Sequence, residues 1–301
     1  MITVVIPTAD REHLLSEALR SVAEQTYQDV DVVVANDGGR VPEQVLRRWR
    51  AHLPIHLVEL PERLGAAAAR NAALTHAHCE YVAFLDDDDL YLPTHLEMAA
   101  KALDGGADFV YTGAVVVDRR VDGLPAEYES LHRKAYEFTN GFLLVANFLH
   151  TGSVVTRNFR DTDLRFDESL PVCEDWDMWI ALTRAYGDRV AFVDELTTVY
   201  HQVAGAQGLV AEAQQLTPSP FSVTRDRIHE KWPSPDDHVT MYRDWLTQFE
   251  VFRNTFIAGG GVVPTQLFDR VLSFLHPRFC RGETVQAHEI PALFESAWPS
   301  R

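Results

Sequence analysis

The chain has 301 residues, of which 46% are apolar and 24% charged, proportions that are typical of a globular protein. Its 27 basic and 44 acidic residues give a net charge of −17, and a field of that sign repels nucleic acid and anionic membrane surfaces. The three cysteines are far apart and form no CxxC pair, which argues against a disulfide framework or a zinc finger and favours a reducing cytoplasm.

The first 115 residues alternate between strand and helix patterns. A β-branched run at residues 2–6 follows Met1 directly, so we expect no signal peptide. Further strands are predicted at residues 31–35, 55–60, 81–85 and 108–117, with helices near 15–22, 42–50, 65–77 and 93–103 between them. Strand–helix alternation at this spacing predicts a parallel sheet with right-handed crossovers.

The strand pattern loosens after residue 118 and fades after residue 206. Shorter strands are predicted at 154–155, 190–193 and 196–200, with a helix at about 175–185. Beyond 206 the apolar residues Tyr242, Trp245, Phe249 and Phe252 recur at helical spacing, and 267–274 repeats the pattern. This helical extension must bury its apolar face on the rest of the chain, in a homodimer through 206–301, or around a bound acceptor. No apolar run approaches the ~18 residues of a membrane span, so we expect no integral membrane segment.

Four consecutive aspartates, Asp86 to Asp89, follow the apolar strand 81–85. Adjacent carboxylates repel each other, and Mn²⁺ or Mg²⁺ would relieve the repulsion because these cations prefer oxygen ligands. The run therefore predicts a metal site that holds a phosphorylated ligand. The alternative is a solvated acidic turn before a helix, with Pro93 in the first helical turn.

The common phosphate-binding loops G-x-x-x-x-G-K-[ST] and G-x-G-x-x-G are absent, as is the metalloprotease pattern H-E-x-x-H. A bound nucleotide diphosphate would therefore have to be neutralised by a metal and by basic side chains. The absence of these loops therefore strengthens the interpretation of the aspartate run as a metal site.

Five short segments resemble, in order and at family spacing, the motifs of family 2 glycosyltransferases with the GT-A fold. They are Val5-Ile6-Pro7-Thr8 with Arg11, Asp37-Gly38-Gly39, Ala69-Arg70-Asn71, Leu85 to Asp89, and Glu174-Asp175-Trp176-Asp177. The match covers residues 1–205, and its one departure is Gly39, where serine is usual. The resemblance implies an α/β, Rossmann-like fold with a mostly parallel central sheet and a C-terminal helical extension. Residues 1–115 would form the nucleotide-sugar-binding half, 116–205 the acceptor-binding half, and 206–301 the extension.

The resemblance assigns donor contacts to Pro7, Thr8, Asp37 and Arg70. Asp37 would accept a hydrogen bond from the base, and Arg70 would lie beside the base and diphosphate, with Arg63 as the reserve candidate. Each residue also has a structural alternative. Asp37 would otherwise bind backbone N–H groups of its turn, Thr8 would form a turn or helix cap, and Arg70 would form a surface ion pair.

The same resemblance makes Asp86 and Asp88 the metal-binding pair, with Asp86 also facing the nucleotide. Asp87 would assist or replace Asp86, and Asp89 would cap the following segment. His201 follows the predicted strand 196–200, where some GT-A enzymes place a third metal or diphosphate ligand. A single histidine is otherwise a satisfied structural residue.

Asp175 matches the general base of an inverting transfer, and Glu174 would assist it or touch the acceptor. Such a base takes the acceptor proton while the nucleophile attacks the anomeric carbon, a contribution of about 10²–10⁴-fold. Without the other motifs, the pair would instead be an acidic first turn favoured by the helix dipole.

The sequence thus predicts a metal-dependent, inverting glycosyltransferase that uses a nucleotide-diphosphate sugar, with UDP or dTDP favoured. The acceptor is a glycan, a lipid-linked sugar, a peptide or a small molecule. The alternatives are a catalytically inactive sugar-nucleotide-binding protein and a sugar nucleotidyltransferase. The latter class requires a Gly-rich loop after the first strand, where this chain has Pro7 to Arg11.

Overall fold

The computed structural model describes residues 1–203, 216–263 and 266–295. Its strands are β1 (Ile2–Thr8), β2 (Val30–Asn36), β3 (Ile55–Glu59), β4 (Tyr81–Phe84), β5 (Leu90–Tyr91), β6 (Phe109–Val117), β7 (Arg133–Lys134), β8 (Val154–Arg157) and β9 (Val190–His201). Its α-helices are α1 (Glu12–Ala23), α2 (Glu43–Trp49), α3 (Ala66–Leu74), α4 (His95–Asp104), α5 (Asn140–Leu143), α6 (Glu174–Tyr186), α7 (Pro220–Lys231), α8 (Asp237–Ala258) and α9 (Leu267–Cys280). Short 3₁₀ helices lie at Tyr128–Ser130, Thr151–Ser153 and Ala287–Phe294.

All these strands belong to one sheet, in the order β3-β2-β1-β4-β8-β6-β9-β5, with β7 paired to β6. The first four run parallel, β8 is antiparallel to both of its neighbours, and β9 runs parallel to β6. Strands β3, β2, β1, β4, β6 and β9 therefore share one direction, which confirms the prediction of a mostly parallel sheet. The two strands predicted at 190–193 and 196–200 form one strand, whose register shifts opposite Gly113.

The runs of valine and isoleucine in β1 and β2 are buried on both faces of the sheet, as expected of parallel strands covered by helices. Because β2, β1 and β4 are parallel neighbours, their carboxyl ends lie at the same edge. Thr8, Asp37 and Asp86 stand at or just beyond those ends. Open α/β sheets bind ligands at such an edge.

Helices α7, α8 and α9 pack on one face of this sheet. Tyr242, Trp245 and Leu272 belong to the same buried cluster as Phe84 and Phe109 of the sheet. The apolar stripe predicted for the extension is thus buried by the same chain. None of the helices in the described ranges is long and apolar enough to cross a membrane.

Candidate active site

The aspartate run alternates between buried and open side chains. The side chains of Asp86 and Asp88 are 30% and 31% exposed, whereas that of Asp87 is fully buried. Thr8 donates a hydrogen bond from Oγ1 to Asp87 Oδ2 at 2.7 Å, and Arg11 lies 2.6 Å from Asp87 Oδ1. Burial raises the pKa of Asp87 to about 7, although Arg11 opposes the shift. Asp87 therefore holds the aspartate run in place. Its two sequence neighbours, Asp86 and Asp88, have the partly exposed carboxylates.

Asp86 and Asp88 each use one oxygen for an arginine. Arg70 Nη2 lies 2.6 Å from Asp86 Oδ1, and Arg11 Nη1 lies 3.0 Å from Asp88 Oδ2. Burial disfavours the ionised form of Asp86, but the Arg70 cation outweighs it and lowers the pKa of Asp86 below its usual value. For Asp88, burial prevails over Arg11 and raises the pKa. The site thus keeps Asp86 ionised by means of Arg70.

Arg70 joins the aspartate run to helix α6. Its guanidinium donates to Asp86 Oδ1 through Nη2 and to Glu174 Oε1 through Nη1, the latter at 2.5 Å. The side chain is only 4% exposed and its guanidinium lies over the Phe166 ring, with 5.6 Å to the ring centroid. Arg70 is therefore a buried bridge between two acidic motifs that are 88 residues apart, from 86 to 174, and not the surface ion pair of the alternative interpretation.

Asp37 lies at the end of β2 and is largely buried. Its Oδ1 accepts the Leu64 N–H at 2.7 Å, and its Oδ2 accepts the Gly65 N–H at 3.0 Å. These contacts tie the turn after β2 to the start of α3. Each carboxylate oxygen retains a further acceptor position, so a base contact by Asp37 stays a prediction.

Gly39, the one departure from the family pattern, lies against Asp10. A Cβ at Gly39 would lie 2.8 Å from Asp10 Oδ1, and that oxygen accepts the Arg40 N–H at 2.7 Å. Arg63, the reserve donor candidate, pairs with the same Asp10 carboxylate. The absence of a side chain at position 39 thus makes room for the Asp10–Arg63 pair.

Asp89 does not cap the following segment, and that prediction is wrong. Helix α4 begins only at His95, while Asp89 is buried and accepts the backbone N–H of His201 at 2.8 Å. His150 Nε2 lies 3.4 Å from the other Asp89 oxygen. Burial raises the pKa of Asp89 well above its usual value. Asp89 therefore fastens β9 to the aspartate run.

His201 directs its ring toward Asp89 and the backbone. Its Nε2 accepts the Val121 N–H at 3.3 Å, and its Nδ1 lies 3.7 Å from Asp89 Oδ1. Burial lowers the pKa of His201 to about 4, so the ring is neutral at pH 7. Across the described ranges no group of three acidic, histidine or cysteine side chains is arranged for a metal ion. His201 consequently does not join Asp86 and Asp88 in this structure, and its role as a ligand stays a prediction.

Both carboxylate oxygens of Asp175 accept hydrogen bonds. Oδ2 accepts from Thr151 Oγ1 at 2.8 Å and from Asn147 Nδ2 at 3.1 Å, and Oδ1 accepts the Trp176 N–H at 2.7 Å. Asp175 stands in the first turn of α6, after Cys173, whose backbone is left-handed with φ of 59°. These three hydrogen bonds keep the carboxylate in one orientation.

Glu174, the residue before Asp175, contacts Arg70 and not the Asn147 and Thr151 side chains that hold Asp175. Burial raises the pKa of Glu174, although Arg70 opposes the shift. Asp177, the last residue of the motif, is buried and accepts hydrogen bonds from Lys231 Nζ at 2.8 Å and Trp232 Nε1 at 2.7 Å. It therefore anchors the end of α7 to α6.

Sequence reasoning gave no separate role to three side chains that shape the site. Arg11 pairs with Asp87 and Asp88, and Asn147 and Thr151 orient Asp175. One available signal was Asn147, a polar residue inside the apolar stretch 142–149. A half-buried amide in such a stretch is expected to have a polar partner.

Comparison with solved structures identifies the fold. TarS of S. aureus aligns over 97% of this chain with a TM-score of 0.60 and 19% identity, and the alignment spans 53% of TarS. A TarS chain of residues 1–349, solved in complex with UDP-GlcNAc, aligns over 95% of this chain and 93% of its own length, with a TM-score of 0.55 and 18% identity. A mannosyltransferase from Pyrobaculum calidifontis, solved with GDP-Man and Mn²⁺, aligns over 97% of this chain and 84% of its own, with a TM-score of 0.57 and 20% identity. The chain has the α/β fold of these enzymes, the GT-A fold with C-terminal helices.

Sequence comparison identifies the family. The model of glycosyl transferase family 2 matches residues 3–160, which is more than half of the chain. An uncharacterised glycosyltransferase of Bacillus subtilis, YwdF, is 29% identical over 204 residues, or 66% of this chain and 73% of YwdF. The chain belongs to glycosyl transferase family 2, as the motifs predicted.

Proposed function

We propose that this protein is a metal-assisted, inverting glycosyltransferase that takes its sugar from a nucleotide-diphosphate donor, with UDP or dTDP as the nucleotide. The observation that carries the proposal is the Arg70 bridge. It binds Asp86 and Glu174 at the same time, and Glu174 is the neighbour of Asp175. Asp86, the proposed donor-site carboxylate, and Glu174, the neighbour of the proposed base, thus flank one buried guanidinium.

The chemistry of Asp86 and Asp88 fits a divalent cation. Arg70 and Arg11 each engage one oxygen of these carboxylates, and the remaining two oxygens accept no hydrogen bond from the described part of the chain. Two carboxylates suit Mn²⁺ or Mg²⁺, since such cations commonly combine one or two carboxylates with substrate phosphates. When bound, the metal would stabilise negative charge on the departing diphosphate.

Asp175 supplies the general base of the proposed reaction. Thr151 and Asn147 both donate to Oδ2, so this carboxylate is oriented before the acceptor arrives. The acceptor hydroxyl loses its proton to Asp175 as its oxygen forms the bond to the anomeric carbon and the bond to the diphosphate breaks. Attack from the face opposite the diphosphate inverts the anomeric centre. Pre-orientation of this kind removes part of the entropic barrier.

UDP is supported as the donor nucleotide by the TarS complex with UDP-GlcNAc, and a divalent metal by the mannosyltransferase complex with Mn²⁺. Asp37, at the end of β2, is the candidate for the base contact, and the N–H of uracil or thymine would suit its carboxylate. Pro7 and Thr8, at the end of β1, remain candidates for the neighbouring nucleotide contact.

Calorimetry with UDP and Mn²⁺ tests the donor assignment. We expect UDP binding that EDTA weakens strongly, and an Asp88→Ala variant in which added Mn²⁺ no longer strengthens binding. Glu97→Ala, which removes an exposed acidic side chain from α4, is the matched control and should bind as the wild type does. Full-strength binding in EDTA would refute the metal assignment.

A measurement of donor turnover distinguishes the proposed glycosyltransferase from an inactive protein that only binds sugar nucleotides. A screen of UDP- and dTDP-sugars with Mn²⁺, monitored by nucleotide release, should find a donor that is hydrolysed slowly in the absence of an acceptor. Binding of UDP without release from any donor, with or without added acceptors, would favour the inactive protein.

A further inference from the structure

Lys134 is a cation near the candidate active site that has no hydrogen-bond partner within the described ranges. It lies in β7, and its side chain is only 9% exposed. Its nearest carboxylate is Asp269, with Nζ 4.0 Å from Oδ1, a distance too long for a hydrogen bond. Within the described ranges Nζ donates no hydrogen bond to any other group. A largely buried ammonium normally has such partners, because burial of a charge is costly without them.

Asp269 is shared among several groups, and its one hydrogen bond in the described ranges comes from a residue other than Lys134. Gln202 donates from Nε2 to Asp269 Oδ2 at 3.0 Å, and His132 Nε2 lies 3.8 Å from Oδ1. Since Asp269 is itself buried on α9, its position is set by this packing. Among the residues that the structure describes, the N–H donors of Lys134 therefore have no hydrogen-bond acceptor.

A short chain of contacts connects Lys134 to Asp175. Its Nζ is 5.7 Å from the centroid of the Tyr200 ring, and that ring stacks on His150 with 4.6 Å between centroids. The residue after His150 is Thr151, which binds Asp175. The Lys134 charge also contributes to the lowered pKa of His150, after the larger effect of burial. Lys134 is thus connected to the candidate base through Tyr200, His150 and Thr151.

The position of β7 in the sheet indicates that Lys134 would contact the acceptor and not the donor. Strand β7 pairs with β6, which lies beyond β4 and β8 in the sheet order. The strand ends that carry Thr8 and Asp37 lie on the other side of β4. The proposed contact of Asp37 with the base is therefore separated from Lys134 by intervening strands, whereas Asp175 faces the acceptor in the proposed function.

We propose that Lys134 binds an anionic group of the acceptor, a carboxylate or a phosphate ester, next to the base Asp175. This inference rests on the proposed function. A negative charge at this position supplies the hydrogen-bond acceptors that Asp269 does not, and it orients the acceptor hydroxyl toward Asp175. The protein as a whole carries a charge of −17, so a local cation is needed to draw an anionic acceptor into the site.

Saturation-transfer NMR on the full chain, with saturating UDP and Mg²⁺, tests the proposal with two pairs of probes. They are glucuronate against glucose, and glycerol 3-phosphate against glycerol. In the wild type the anionic member of at least one pair should bind about tenfold more tightly, the effect of one charge-assisted hydrogen bond. A preference in the first pair alone identifies a carboxylate acceptor, and a preference in the second alone identifies a phosphate ester.

Lys134→Met should abolish this preference, and Lys134→Arg, which keeps the charge, should retain it. Lys101→Met removes an exposed lysine from the last turn of α4 and should behave as the wild type does. The Lys134→Arg variant also keeps a cation near Asp269, so it provides a folded comparison if Lys134→Met is unstable.

Three results would overturn the inference: no preference for either anionic probe in the wild type, a preference that survives in Lys134→Met, or a loss of UDP affinity in Lys134→Met. The last result would place Lys134 at the donor diphosphate. Calorimetry of UDP and dTDP with Mg²⁺ on the same samples separates the two proposals. Wild-type protein that binds neither UDP nor dTDP refutes the proposed function and the acceptor site with it, whereas normal nucleotide binding without a probe preference refutes only the acceptor site.

Discussion

Replacement of Arg70 by methionine should cost the protein much of its stability. The guanidinium is 4% exposed, and its removal leaves Glu174, which is 13% exposed, and Asp86, which is 30% exposed, without their common cation. Breaking a buried pair in this way costs about 3–5 kcal/mol of the free energy of unfolding. Methionine fills much of the same volume, so the loss reflects charge more than packing.

A double-mutant cycle isolates the interaction of Arg70 with Glu174. Glu174→Gln alone leaves Arg70 paired with Asp86 and should cost about 1–3 kcal/mol. Arg70→Met together with Glu174→Gln should cost less than the sum of the two single changes, by about 1–3 kcal/mol, because a neutral glutamine no longer requires a cation. Urea unfolding followed by tryptophan fluorescence measures all three values.

Arg70→Met combined with Glu97→Gln provides the control for this cycle. Glu97 is exposed on α4 and makes no contact with Arg70, so the two changes should add within about 0.5 kcal/mol. Additive costs for Arg70→Met and Glu174→Gln would refute the bridge, and with it the observation on which the proposed function stands.

Three further predictions concern the base, the C-terminal helices and acid stability. Asp175→Asn should lower sugar transfer by about two orders of magnitude or more, with UDP affinity unchanged in calorimetry; near-normal turnover would assign the base to another group. Asp177→Asn should lower the urea midpoint by the equivalent of about 2–3 kcal/mol, because Lys231 and Trp232 lose a shared carboxylate acceptor; an unchanged midpoint would contradict the anchor. Burial lowers the pKa of His95 to about 3 from about 6.5 in the unfolded chain, so its stabilisation is present above pH 6.5 and is lost as the pH falls toward 3. The stability difference between the wild type and His95→Gln should therefore shrink by about 1.4 kcal/mol per pH unit below pH 6.5, and a constant difference would refute the shift.

The strands and the ordering of the site along the sheet edge could be predicted from local patterns. Buried β-branched runs such as 2–6 and 31–35 specify parallel strands, and the polar residues that follow them meet at one edge because the strands are parallel neighbours. The half-buried pair Asp86 and Asp88 does not follow from a strand pattern. Asp87 and Asp88 lie in a turn that the Asp89 N–H closes on the Asp86 carbonyl at 3.1 Å, and Asp87 is buried there by its contacts with Thr8 and Arg11.

The role of Asp89 could not be predicted in the same way. Its partner is the backbone of His201, 112 residues later, and the contact exists because β5 and β9 pair antiparallel. No local pattern at Asp89 distinguishes this contact from a helix cap. The same limit applies to Arg70, since a short alanine-rich helix gives no indication that its one arginine will be buried between two acidic motifs.

The first turn of α6 shows how one short motif connects the parts of this protein. Successive residues of an α-helix are rotated by about 100°, so the first, second and fourth positions of the acidic motif face three directions. Glu174 meets Arg70 and through it the aspartate run, Asp175 meets Asn147 and Thr151, and Asp177 meets Lys231 at the end of α7. The helical turn that carries the candidate base is therefore held by contacts from three sides, one of which comes from the C-terminal helices. A change at the end of α7 should consequently reach Asp175 through the turn that carries both aspartates.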